Sequence, residues 1–236
     1  MPANDVSLYS SAKVLFWLTV LGTYGFIEAI LRLYRYIPRL YPWASWRWYN
    51  RTSDKEFYFR HREFSCRVYP GGQQYLVVRE ETVVARAKLS SVPISYQWTA
   101  QGPISERILP ESLALVDAQR IKGQTSVRKR IQFKSELEKG QEQTYTFILR
   151  CCCTPNSPPP EPFLSSTSNH RVDRLILRVI FPVDEMPKRV FRVEQDRDGH
   201  ELARCQIELT DYVNGEYRVE IRQPRAHTTY LLEWEK

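Results

Sequence analysis

The sequence lacks the residues and spacings from which a catalytic centre can be read directly. It has four histidines, His61, His170, His200 and His227, with none at i, i+2 or i+4 to another. No H-E-x-x-H, G-x-S-x-G, Walker-type loop or G-x-G-x-x-G occurs, so the sequence-readable zinc, nucleophile-elbow and phosphate-loop chemistries are missing. The five cysteines (Cys66, Cys151, Cys152, Cys153 and Cys205) are odd in number and three are consecutive. That pattern excludes an ordinary secreted disulfide framework and fits reduced thiols in the cytosol. The most hydrophobic uncharged run, Val14 to Ile27, holds fourteen residues, short of the 18 or so that mark a membrane span by length alone.

The chain has 236 residues, 42% of them hydrophobic, 26% charged and 13% aromatic. These are globular values and exclude wholesale disorder. The net charge is +7. Residues 1–56 hold seven Lys and Arg against four Asp and Glu, and the much longer remainder holds 27 against 23. The positive excess therefore gathers beside the most hydrophobic run, which favours a membrane surface over nucleic acid as partner.

That run extends as a helix from Ala12 to Leu33, 22 residues, and at about 1.5 Å per residue it reaches roughly 33 Å, enough for a hydrocarbon core of about 30 Å. Its acid, Glu28, is placed to pair with Arg32 one turn on or with Arg35. Behind it, Arg35, Arg39, Trp43, Trp46 and Trp48 form an aromatic and basic collar suited to the headgroup level, ended as a helix by Pro38 and Pro42. Three readings stand: a single-pass span, a helix lying in the interface, and a buried core helix. Arginines after the run outnumber the one Lys before it, so the body is expected to face the cytoplasm.

From Phe57 the period changes to alternation. Phe64, Cys66 and Val68 share a strand face that ends at the turn Pro70-Gly71-Gly72, and Tyr75 to Ala87 follows as a long strand with charges in its middle. Ile94, Tyr96 and Trp98, then Val127, Ile131 and Phe133, then Tyr145, Phe147, Leu149 and Cys151 repeat the pattern, while Ser112 to Ala118 reads as a short helical turn. Thr154 to Asn169 carries five prolines and is expected to be extended and solvated, as a linker between modules or a long loop within one, with the linker preferred. Leu175 to Phe181, the hairpin Val190 to Leu209 and the strand after Asn214-Gly215 complete an antiparallel, immunoglobulin-like sandwich. The expected layout is 1–56 membrane-associated helix and collar, 57–153 β-rich domain, 154–169 linker or loop, and 170–236 a C-terminal sandwich-like segment.

Few residues invite chemistry. Adjacent strand positions face opposite ways, so Cys151, Cys152 and Cys153 cannot share one tetrahedral metal; the expectation is an inert strand end with no metal or cofactor. Glu80-Glu81, Asp184-Glu185 and the Asp196/Asp198 pair read as solvated surface. Arg128-Lys129-Arg130 could meet phosphate, with Trp98 or Tyr96 stacking a base, but its basic residues lie among apolar ones as on any exposed strand face.

The pattern Leu175-x-Leu177-x-Val179-x-Phe181-Pro182, then Asn214-Gly215-x-Tyr217, then Tyr230-x-Leu232-Glu233-Trp234-Glu235 resembles the terminal β-sandwich of uncharacterised bacterial proteins. The layout of a membrane helix and cytosolic β body is also similar to membrane effectors of bacterial anti-phage signalling. That resemblance implies ligand sensing by the β body and membrane disruption by assembled helices; no binding residue is transferred. The expectation is a membrane-anchored, non-catalytic interaction or sensor protein, with a membrane-disrupting effector as the alternative. Its partners would be membrane lipid, a protein or small ligand on the β body, and further copies of itself through the N-terminal helix.

Overall fold

The computed structural model describes residues 56–97, 99, 101–117, 126–155, 160–167 and 169–235, all within one unit that runs from Tyr49 to Lys236. The expected helix of residues 12–33 and the collar residues lie outside the described residues. Glu28, Arg32, Arg35, Arg39, Trp43, Trp46 and Trp48 are therefore not placed. Among the described residues no helix is long and apolar enough to cross a membrane.

The β character read from alternation is borne out. Among the described residues thirteen strands form: β1 (Phe57–Val68), β2 (Gln74–Ala85), β3 (Leu89–Gln97), β4 (Ile104–Leu109), β5 (Ala114–Asp117), β6 (Ser126–Leu137), β7 (Glu142–Cys152), β8 (Phe163–Thr167), β9 (Val172–Ile180), β10 (Arg189–Gln195), β11 (Glu201–Ile207), β12 (Glu216–Arg222) and β13 (Thr229–Glu235). They make a six-stranded sheet in the order β12-β9-β1-β2-β7-β4, a four-stranded sheet β11-β10-β13-β8 and a three-stranded sheet β3-β6-β5. Both smaller sheets meet the large one. Tyr96 of β3 lies 5.8 Å from Phe147 of β7 between ring centres, and Trp234 of β13 lies 5.4 Å from Phe181, just past β9. Their buried apolar side chains join in one core.

Four expectations need correction. Residues 154–169 do not separate two modules. β9 lies between β12 and β1 in the large sheet, and Phe163–Thr167, beyond the last proline, keeps its amide N–H groups and pairs as β8 with β13. The β1–β9 pair is parallel, so the large sheet is mixed, and three sheets replace the two sheets of about seven strands in an immunoglobulin domain. Of the helical turn expected over Ser112 to Ala118, the described residues 112–117 do not form one. The Leu113 N–H bonds the Pro110 carbonyl at 3.0 Å, closing the turn early, and Ala114–Asp117 then extends against β6. Glu81, finally, is not solvated, for a reason built into β1 and β2.

β1 carries a register shift between Phe59 and His61. Such a bulge reverses which positions face inward. Phe57 and Phe59 are buried before it, and Arg62, Phe64, Cys66 and Val68 after it. On β2 the inward set is Tyr75, Val77, Arg79, Glu81, Val83 and Ala85, so two charged residues continue an apolar face. Pairing then sets rows across β1, β2 and β7: Arg62–Glu81–Tyr145, Phe64–Arg79–Phe147 and Cys66–Val77–Leu149.

Candidate functional site

The first of these rows is a buried polar cluster. Glu81 has 0% exposure, Arg62 and Arg79 6% each, and Tyr145 1%. Arg62 donates from Nε and Nη2 to Glu81 Oε1, both at 2.7 Å. Arg79 Nη2 reaches the same oxygen at 3.0 Å, and the Tyr145 hydroxyl donates to Oε2. Burial alone would raise the Glu81 pKa, but the two guanidinium groups and these hydrogen bonds outweigh it and hold the carboxyl down to about 2. Tyr145 moves the other way, well above its ordinary value, through burial and the adjacent carboxylate.

Two buried arginines share one buried carboxylate. The surplus positive charge is spread over aromatic faces: the Arg79 guanidinium stands 4.5 Å from the Phe64 ring centre, and that of Arg62 stands 5.1 Å from Phe64 and 4.4 Å from Phe59. Arg79 is fixed further by Nη1 donating to the Ser95 carbonyl on β3 at 2.7 Å. Its Nε has no hydrogen-bond partner, and neither does the hydroxyl of Ser166 on β8.

Arg62, Arg79 and Ser166 all line a cavity of about 330 Å³ enclosed by β1, β2 and β7 of the large sheet, β3 of the three-stranded sheet, and β8 and β13 of the four-stranded sheet. Its apolar wall includes Phe64, Val77, Leu149, Leu164 and Trp234. The exposed residues Thr99 and Glu161 mark its solvent side, where the Glu161 N–H bonds Thr99 Oγ1 at 3.0 Å. The lining mixes apolar side chains with polar ones such as Arg62, Arg79, Gln97, Thr99, Ser165 and Ser166, and a recess that combines an apolar wall with fixed polar groups has the form of a small-ligand site.

Cys66 and Cys151 also line it. Burial pushes both thiols up to about 12, so at neutral pH they are protonated and are poor nucleophiles and poor metal ligands. The inert reading of Cys151 fits this. Cys152 and Cys153 are half-buried. Cys151 is buried in the large sheet, Cys205 is exposed on β11, and the His170 ring stacks on Phe57 at 4.3 Å.

The basic run on β6 is divided. Arg128 is exposed. Lys129 donates to Glu106, which also accepts the Tyr96 hydroxyl, and pairs with Asp117 at 3.0 Å. Burial lowers the Lys129 pKa, but bonds to Glu106 and Asp117 raise it by more and keep the ammonium charged. Arg130 bonds Ser91 Oγ. Trp98 lies outside the described residues. Glu185 accepts the Gly71 N–H at 2.9 Å. Asp196, Asp198 and His200 gather potential ligand atoms within 4.8 Å, but Asp198 and His200 are exposed and the half-buried Asp196 already accepts the Asp198 and His200 N–H groups at 2.9 Å.

No family model matches this sequence, and no curated protein matches it. Among solved structures it is similar to an M1 zinc metallopeptidase from Deinococcus radiodurans, at 12% identity over 77% of this chain and 43% of that one, with a TM-score of 0.41. It is also similar to yeast LTA4 hydrolase, at 13% identity over 77% and 29% of the two chains, with a TM-score of 0.45. The chain spans less than half the length of either. Likeness at this level assigns neither family nor activity to it.

Proposed function

We propose that this protein is a membrane-associated sensor or interaction protein whose β body binds a small ligand in the inter-sheet cavity. The observation that carries the reading is the recess itself. All three sheets contribute to it, and its floor is an arginine pair anchored by a buried carboxylate. Occupancy would bridge the large sheet and both small ones, so ligand binding would be felt by the whole body. A segment of residues 1–56 with an apolar run and an Arg/Trp collar would hold that body at a lipid surface.

Two measurements test the two halves. Thermal unfolding of the full chain against a library of small organic ligands should find compounds that raise the midpoint, an effect lost in Val77→Phe, which fills the recess. Stabilisation that persists in Val77→Phe places the ligand elsewhere. In cell fractions, the full chain should stay in the pellet after carbonate extraction, and protease should reach the β body from the cytoplasmic side only. Release by carbonate removes the membrane half.

A further inference from the structure

We propose that the ligand of this cavity is a small amphipathic carboxylate, its head group received beside Arg79 and Ser166 and its apolar part against Phe64, Leu149, Leu164 and Trp234. This rests on the ligand-binding reading above and specifies its chemistry. Size is the first constraint. A space of about 330 Å³ corresponds to roughly eleven waters at about 30 Å³ each, so it accommodates on the order of ten non-hydrogen atoms. A nucleotide, or a peptide longer than about two residues, would have to project out past Thr99 and Glu161.

Charge is the second constraint. Arg62 and Arg79 line the cavity and outnumber the buried Glu81 behind them two to one, and the acid on the lining itself, Glu161, is exposed. A buried surplus charge is costly to leave unbalanced even when aromatic rings disperse part of it. One anionic charge in the cavity balances it. A cation would add to the repulsion, and a phosphomonoester dianion would overshoot.

The third constraint is the set of unused hydrogen-bonding groups. Arg79 Nε and Ser166 Oγ are buried without partners, an arrangement that native proteins rarely tolerate unless something else satisfies them. Glu81 and the Ser95 carbonyl hold the other two Arg79 nitrogens, so the guanidinium is oriented before any ligand arrives. That preorganisation favours affinity. The protonated thiols of Cys66 and Cys151 contribute apolar surface there instead of a covalent or metal bond.

The test is calorimetric titration of the full chain in phosphatidylcholine nanodiscs, with empty discs as reference, against octanoate, octyl phosphate, octan-1-ol and octylammonium. Octanoate should bind at least tenfold more tightly than each of the other three. Ser166→Ala removes a hydroxyl without a partner and should leave the unfolding midpoint unchanged while weakening octanoate severalfold. Arg79→Gln should abolish the preference for the acid; should it fail to fold, Ser166→Ala with Val77→Phe decides. Equal binding of octan-1-ol, octylammonium or octyl phosphate, or octanoate binding untouched in Ser166→Ala, overturns the carboxylate and leaves the cavity a ligand site. Failure of all four compounds to bind the wild-type chain overturns the carboxylate proposal, whereas the ligand-binding reading falls only if the library also yields no compound whose stabilisation is lost in Val77→Phe.

Discussion

Arg62 and Glu81 stand directly opposite one another on β1 and β2, and the guanidinium places two nitrogens at 2.7 Å from a single carboxylate oxygen. The second oxygen takes the Tyr145 phenol from the next strand, and Arg79 returns to the first. Both partners of the pair are held by the ladder itself, so its geometry is as fixed as the sheet. Such a pair is strongly unfavourable to break and only weakly favourable to have, because desolvation cancels most of the attraction.

Removing the acid alone should therefore be severe. Glu81→Gln leaves two buried guanidinium groups without a counter-charge, and an equilibrium urea titration is expected to show a loss of about 3–5 kcal/mol. Replacing the whole set, Arg62→Met with Arg79→Leu and Glu81→Met, should come within about 1 kcal/mol of the wild type or exceed it. The triple variant would lose carboxylate binding while staying folded. A triple variant as unstable as Glu81→Gln would mean that the cluster holds the sheets together after all, and its presence would need no ligand to explain it.

Acid should act on the same group. The Glu81 carboxyl falls from an ordinary 4.5 to about 2 in the folded protein. A carboxyl more acidic when folded favours folding wherever it is ionised, so its contribution is complete above about pH 4.5 and disappears as pH falls towards about 2. For a shift of this size the contribution is on the order of 3 kcal/mol. Urea midpoints measured between pH 5 and pH 2.5 should decline more steeply for the wild type than for Glu81→Gln. Parallel declines would assign the acid sensitivity to other carboxylates, such as Asp196 and Asp211, whose pKa values are also lowered, by backbone and side-chain hydrogen bonds.

The thiols give a check on the core that needs no substitution. Cys205 is exposed on β11, whereas Cys66 and Cys151 are buried and held protonated by that burial. Maleimide labelling at pH 8, read by peptide mass spectrometry, should modify Cys205 first and reach Cys66 and Cys151 only after denaturation. Rapid native labelling of Cys151 would show that the cavity admits water and reagent freely, against the apolar wall described for it.

Local strand patterns were legible from sequence because they need only alternation and turn residues. The hairpin of β10 and β11 and the inward face of Tyr217 and Val219 are of this kind. What alternation cannot show is a change of phase. The bulge after Phe59 puts Arg62 on the same face as Phe57, and a strict count by twos from Phe57 would have turned it outward. Glu81 was readable in principle, since counting by twos from Tyr75 reaches Arg79 and Glu81 before Val83; taking charge as a sign of exposure hid it. The parallel pairing of β1 with β9 joins residues over a hundred positions apart, and no local signal announces it. The proline-rich stretch consequently read as a boundary when it is a connection inside one body.

The turn into β12 supplies a last test, one that separates backbone conformation from packing. Gly215 has φ +64, and a Cβ placed on it would come 2.4 Å from the Phe181 carbonyl oxygen and 3.1 Å from Met186 Sδ. Its N-terminal side is fixed by Asp211, which accepts the Val213 and Asn214 N–H groups at 2.9 and 3.2 Å, so the turn cannot shift to make room. Gly140 also has positive φ, +88, but nothing lies within 4 Å of the same position. Gly140→Ala should thus carry only the left-handed backbone cost, about 1 kcal/mol. Gly215→Ala should carry that plus displacement of the Phe181 carbonyl, which accepts no alternative position while the Phe181 N–H bonds the Gly215 carbonyl at 3.0 Å. Urea titrations of the two variants should differ by at least about 2 kcal/mol. Equal losses would mean that the Asn214-Gly215 turn yields easily and does not hold the end of β9 against β13.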